Sequence, residues 1–384
     1  MSSAKARLSD VPGLPAVLTV AALAFGGWAL LLPLVPLAMA RSGASSAAAS
    51  LSTTIFMLAT VLAQLVTPWL LRRIGYRPVI AIGALLIGLP SPLMLVLDPP
   101  VWWYVIASVR GVGFGLVTVA TASLPALLAP RNLLGRAAAA QGIATQAALA
   151  VGIGAGLVID HFAGFGAALM TACALPLLGC ALLWNVHPAV EEPVVRATQP
   201  RRNSILAPMT VMMVCSTAFG GLTVLVPLTE IHNATAAAVA LILISGTGTV
   251  GRLMAGRRTD DGRHGSVTVP AILMAAATLA VFALPVDGTL HLAVLWISSA
   301  VFGLSFGVIQ NDTILSLFLS FGDRGHATAS KWWNIAIDLG TGVGAILYGT
   351  IATLFGITGA FICGAVVLAA VIPWGRHLGR AASR

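Results

Sequence analysis

Long apolar runs broken by short polar punctuation set the rhythm of this chain. Cutting at charge, proline and glycine-asparagine clusters leaves twelve segments, at 14–39, 47–71, 78–97, 101–127, 136–159, 163–186, 205–229, 235–256, 267–285, 291–318, 328–353 and 357–375. An α-helix needs roughly 20 residues to cross a hydrocarbon layer about 30 Å thick, and inside lipid every backbone N–H and C=O must be satisfied within the segment itself. The pattern therefore predicts an all-α membrane protein of twelve transmembrane helices. Composition agrees: 58% of residues are hydrophobic and only 9% charged, against roughly 25% charged in a soluble domain, and the mean hydropathy is +0.96.

A net charge of +9 raises the question of nucleic acid. The positions of the basic residues answer it. With the N-terminus inside, all but two of the 21 Lys and Arg fall in cytoplasmic loops or tails, leaving Arg41 outside and Arg110 within the fourth segment. That is the bias that orients short loops during insertion, so the basic pI reports orientation, both termini are expected in the cytoplasm, and no nucleic-acid partner is expected. The first segment is read as a retained helix and not as a cleaved signal. Cys173, Cys180, Cys215 and Cys363 lie within apolar segments at no metal-like spacing, so they read as buried hydrophobes and no metal is expected.

The chain also repeats itself. "AFGGWALLLPL" from Ala24 returns as "AFGGLTVLVPL" from Ala218, identical at seven of eleven positions and offset by 194. "RGVGFGLV" from Arg110 answers "FGLSFGVI" from Phe302 at an offset of 192, which also pairs Gly152 with Gly344 and Gly164 with Gly356. The one long polar stretch lies between the copies. The expected organisation is thus a six-helix bundle at 1–186, a cytoplasmic linker at 187–204 and a second bundle at 205–384, a parallel repeat of the kind secondary transporters use. Gly26 with Gly27, and Gly220 with Gly221, allow close packing or a bend, and Pro33 and Pro227 mark matching breaks toward the outer side.

Two loops carry a family resemblance. "TPWLLRRIGYRP" after the second segment and "GRLMAGRRTDDGRHG" after the eighth, with the two six-helix halves, resemble the signature loops of the major facilitator superfamily. In the second copy Gly256 and Asp260 match, with Asp261 where an arginine is expected; in the first, Arg73, Gly75 and Arg77 match, while Pro68 and Arg72 replace the glycine and aspartate. The resemblance implies the family's fold and a latch holding the inner gate, for which Asp260 and Arg136 are the candidate pair. The alternative is that these loop charges only orient the protein. "RGVGFG" resembles the helix 4 arginine motif of proton-driven exporters. "VGIGAG", Val151 to Gly156, is similar to the antiporter motif, except that Ile153 stands in place of its proline.

Polar residues inside the segments carry the candidate chemistry, because each costs insertion energy and so needs a partner or a task. Arg110 lies near the middle of its segment and should face a cavity or a carboxylate. Asp338 lies about ten residues, ~15 Å, from the inner end of the eleventh segment, sharing a face with Asn334 and Thr341. A carboxyl group that is ionised when water reaches it and neutral when occluded is what proton coupling requires; a structural bond to Asn334 or to nearby backbone is the alternative. Asp312, nearer the inner end, is expected to meet a wet vestibule. Asp338, Asp312 and Arg110 form the candidate proton-coupling set. Phe25, Trp28, Phe114, Phe219, Thr223, Gln310, Asn311 and Asn334 form the candidate substrate cavity, since helices 1, 4, 7 and 10 line it in the family the chain resembles. Trp102, Trp103, Trp332 and Trp333 read as interfacial anchors.

No nucleophile elbow, paired catalytic carboxylates or phosphate-cradling loop appears, so neither an enzyme nor direct nucleotide hydrolysis is expected, and no cofactor. One arginine and two aspartates in unequal positions fit alternating access better than the charge rings of a channel. The expected function is proton-coupled efflux of a drug or metabolite, with uptake of a small organic anion or sugar-like solute, anchored on Arg110, as the alternative. Expected partners are protons, a small-molecule substrate and the lipid bilayer; the expected setting is a bacterial-type cytoplasmic membrane, as a multi-pass monomer.

Overall fold

The computed structural model describes residues 11–98, 100–129, 134–183, 202–260, 265–284, 286, 288–321 and 326–381. Among them the chain is helical throughout, with no strand. The helices in order are α1 (Leu14–Leu31), α2 (Leu34–Arg41), α3 (Ser46–Ile74), α4 (Tyr76–Gly88), α5 (Val101–Leu128), α6 (Leu134–Leu182), α7 (Arg202–Thr229), α8 (Ala234–Asp260), α9 (Thr268–Phe282), α10 (Thr289–Phe321), α11 (His326–Ala370) and α12 (Ile372–Ala381), with a short 3-10 turn at Ser91–Leu95. Nine stretches of the described residues are long and apolar enough to cross a membrane, and α9 is a shorter apolar helix. Most of the expected linker lies outside the described residues, and α7 already begins at Arg202.

Local chemistry explains where the helices break. Proline lacks an N–H and its ring crowds the carbonyl four residues back. At Pro33 this separates α1 from α2, and the Leu32 N–H turns back to Ala29 O. Pro227, expected to mark the matching break, instead lies inside the continuous α7, where neighbouring helices can compensate for a lost bond. Two longer elements break at glycine. α6 turns at Gly164 (φ 86°, ψ 164°) and α11 at Gly356 (φ 75°, ψ 169°), a backbone region that essentially only glycine occupies. These are the two glycines that the repeat pairs, so the duplication is present in the backbone geometry as well as in the residue order.

Helix association follows small residues, as expected where lipid offers no hydrophobic drive between helices. α1 lies on α6 and α3 on α5; in the second half of the chain α7 lies on α11 and α8 on α10. Gly220 meets the backbone of Thr341, and Gly344 meets the backbone of Thr217, so no side chain fits at either point. Between the halves α3 runs against α11 and α6 against α8. The outer ends, as the charge distribution assigns them, are tied by Arg41 to Asp160 and by His291 to Glu230, both at 2.6 Å.

Gly164→Ala and Gly356→Ala are expected to destabilise the protein by about 1–3 kcal/mol each through backbone strain alone, because no atom lies within 4 Å of the added methyl. Gly142→Ala, with equally open space in a regular stretch of α6, should be neutral or slightly stabilising. Thermal unfolding of the three variants in detergent checks this, and equal midpoints would rule out the strained turn.

Candidate functional site

Asp338 is buried on α11, and the side-chain amide of Gln64 on α3 donates to its Oδ2 at 2.6 Å. The bond crosses from one half of the chain to the other. Gln64 was not among the sequence candidates, although it is the one amide in the apolar run from Thr60 to Thr67. Asn334, one turn away on the same face as Asp338, is half-buried and makes no side-chain hydrogen bond with the described residues, so it is not the structural partner. Gln64 Oε1 and Thr341 Oγ1 are buried without a hydrogen-bond partner.

This pair belongs to the contact between α3 and α11. Moving inward along α3, Ala47 N–H donates to Thr353 Oγ1 at 3.1 Å, Ser50 lies against Gly349, and Thr54 donates to Gly342 O at 2.7 Å. Gln64 and Asp338 follow, ~15 Å of helix further on. In the contact between α6 and α8, Gly154 of α6 touches Ala238 and Ile242 of α8, whereas Gly142 of α6 and Gly246 of α8, both nearer the inner end, face no described atom within 4 Å of an added Cβ. The close contacts between the halves thus include Ala47 with Thr353, Thr54 with Gly342, and Gly154 with Ala238 and Ile242.

Arg110 is 3% exposed. Its Nε donates to Ile87 O at 3.0 Å and its Nη2 to Gly27 O at 3.4 Å, and the guanidinium lies 5.8 Å from the Phe56 ring centre. It meets a cavity, as expected, and no carboxylate among the described residues. The candidates Phe25, Trp28 and Phe114 come together beside it, Phe25 on Phe114 at 4.9 Å and Trp28 on Phe114 at 4.3 Å between ring centres. Phe56 of α3, which the sequence did not single out, completes the group. Arg110 lies over Phe56 and Asp338 at Gln64, two turns or ~12 Å apart along α3, so these two members of the proton-coupling set are not in contact.

The second half repeats the aromatic pair. Phe219 stacks on Phe306 at 5.1 Å, answering Phe25 on Phe114, and Phe302, which occupies the repeat position of Arg110, stacks next to Phe306. Nearby on α10, Gln310 Oε1 and Asn311 Nδ2 are buried without a partner. Thr223 bonds back to Gly220 O and is fully buried. Asp312 is 1% exposed and accepts from Thr268 Oγ1 at 2.6 Å, so α9 and not a wet vestibule surrounds it. A larger cavity of about 150 Å³ opens among Met254, Met274 and Leu304, and none of these polar candidates lines it.

The loop motifs divide. Gly75 has φ 80° and turns the chain from α3 to α4; Arg73 is exposed and folds over Trp69; Arg77 is half-buried. Gly256 approaches Asn311. Asp260 closes α8 and Arg136 lies in the first turn of α6, but both side chains fall outside the described residues. Two of the expected tryptophan anchors turn inward: Trp103 is buried, donating to Leu97 O, and Trp333 donates to Thr313 Oγ1 while Arg252 lies over its ring.

Comparison with curated proteins finds no match. Among solved structures, the chain is similar to the nucleoside transporter NupG, crystallised as a D323A mutant, with a TM-score of 0.71 and 12% identity over 96% of this chain and 98% of that one. At that identity the likeness concerns the fold. The model of the Major Facilitator Superfamily matches residues 17–330. With that match, the helical repeat and the shared fold, the chain belongs to the Major Facilitator Superfamily and is a multi-pass membrane protein of a secondary transport family.

Proposed function

We propose that the protein exports a small organic molecule across a bacterial-type cytoplasmic membrane in exchange for protons, by alternating access of two bundles, residues 1–186 and 205–384. The observation that carries this reading is the buried Asp338 held by Gln64 across the boundary between the halves. A carboxylate accepts from the amide N–H₂; a carboxylic acid can instead donate to the amide oxygen, which a flip of Gln64 would present. The pair therefore accommodates both protonation states without losing its bond. The bond joins α3 to α11, so bundle motion that separates these two helices removes the amide and hydrates the carboxyl group. Differential stabilisation of the two states by the proton then shifts their populations.

Asp312, bonded to Thr268, is the second proton group of this reading, and Arg110 is its fixed positive charge. Aromatic faces from Phe25, Trp28 and Phe114 on one side and Phe219 on the other, with the unpartnered amides of Gln310 and Asn311, suit an amphipathic substrate of few charges. Asn334 and Thr223 complete the expected cavity. Asp260 and Arg136 would latch the inner end, with Arg73, Gly75, Arg77 and Gly256 shaping the loops. The working unit is a monomer.

Inverted vesicles with an acidic lumen are expected to accumulate a drug-like substrate in proportion to the imposed pH gradient. Asp338→Asn should reduce gradient-driven accumulation by at least tenfold while retaining downhill exchange; full gradient dependence in that variant would falsify the coupling assignment. In an unfolding assay, Gln64→Leu should lose about 1.5–3 kcal/mol by stranding a buried polar group. The Gln64→Leu, Asp338→Leu double variant should recover most of it, and strict additivity would mean that the pair is not coupled. Asp260→Asn or Arg136→Ala should raise labelling of cysteines placed at the inner ends of α6 and α8, and an unchanged rate removes the latch.

A further inference from the structure

The surroundings of Arg110 pose a charge problem that proton coupling does not address. A guanidinium carries five N–H donors and no acceptor. Two of its nitrogens bond to backbone carbonyls, and no carboxylate among the described residues balances the charge. Burying a charge in an apolar interior is unfavourable unless it is paired. Carbonyl dipoles offset part of that penalty and leave a full positive charge inside the membrane domain.

A cavity of about 20 Å³ adjoins the guanidinium, lined by Arg110, Trp28, Ser52, Thr53 and Phe56 together with aliphatic side chains. The Trp28 indole N–H is buried without an acceptor, and indole nitrogen only donates. Thr53 is buried and its hydroxyl makes no hydrogen bond with the described residues. Ser52 already donates to Ala49 O at 2.8 Å. The lining thus offers a cation, an indole N–H and a free hydroxyl, with no anionic group. Such a set repels cations and favours an anion, which can accept from donors of all three kinds. The volume holds one water-sized body, which limits the occupant to a halide-sized ion or to a single carboxylate head.

We infer that this pocket binds a small monovalent anion as the counter-ion of Arg110, with Trp28 Nε1 and Thr53 Oγ1 as its further donors. The pocket abuts the break between α1 and α2, since Leu31, Leu32 and Val35 line its wall. Its occupant is therefore bound where the first helix of the transporter changes direction. The assignment goes beyond proton-coupled export and stands whether or not Asp338 carries the proton.

The test uses full-length protein in detergent at constant ionic strength, with its thermal midpoint followed against chloride, bromide, acetate, benzoate and sulfate. Chloride and bromide are expected to raise the midpoint saturably, and sulfate is not. Trp28→Phe removes the indole N–H while keeping an aromatic ring beside Phe114; it should weaken the apparent halide affinity about tenfold, as should Thr53→Val, a tenfold change being 1.4 kcal/mol. These variants avoid the folding risk of Arg110→Gln. Acetate that competes with halide while benzoate does not identifies a free small ion as the occupant. Benzoate that displaces halide with higher affinity identifies the carboxylate of an organic solute. No saturable response to any monovalent anion overturns the proposal, and so does wild-type affinity in both variants.

Discussion

The hydrocarbon interior supplies no water, so each polar group carried into it must find its partner within the protein. That constraint orders the rest of this molecule. It makes the described chain helical and returns many buried hydroxyls to a carbonyl one turn back, as in Thr60, Thr118, Thr121 and Ser316. It also leaves close approach of small residues as the main source of helix adhesion. Among the described residues the buried atoms left without a partner include the Trp28 indole N–H, Gln64 Oε1, Gln310 Oε1, Asn311 Nδ2 and the hydroxyls of Ser216, Ser245, Ser299 and Thr341. The proposed site draws on some of these groups: Gln64 beside Asp338, Trp28 beside Arg110, and Gln310 with Asn311.

Much of the architecture was legible in the sequence because it rests on local rules. Hydropathy set the helices. The repeat foretold that Gly164 and Gly356 play one role, and both adopt the same left-handed φ. The aromatic motifs of α5 and α10 likewise fold into equivalent pairs with Phe25 and Phe219. Loop signatures located the turn at Gly75.

What stayed hidden concerns which helix faces which. A lone glutamine in an apolar run reads as a tolerated polar residue until its neighbour is known, and nothing in the period of α3 announces that α11 lies alongside. The same ignorance misplaced Trp103 and Trp333, whose positions near segment ends fit an interfacial anchor equally well, and Asp312, whose shelter comes from α9. Pro227 failed for a different reason. Its sequence equivalence to Pro33 is real, but a proline removes only one backbone hydrogen bond, and Pro227 stands inside a continuous α7 whereas the chain breaks at Pro33.

The turns at Gly164 and Gly356 each join two long helical arms without an intervening loop. At each point a single residue makes the turn. With no loop to take up slack, a tilt of one arm against the other can be absorbed only in the φ and ψ of that single glycine.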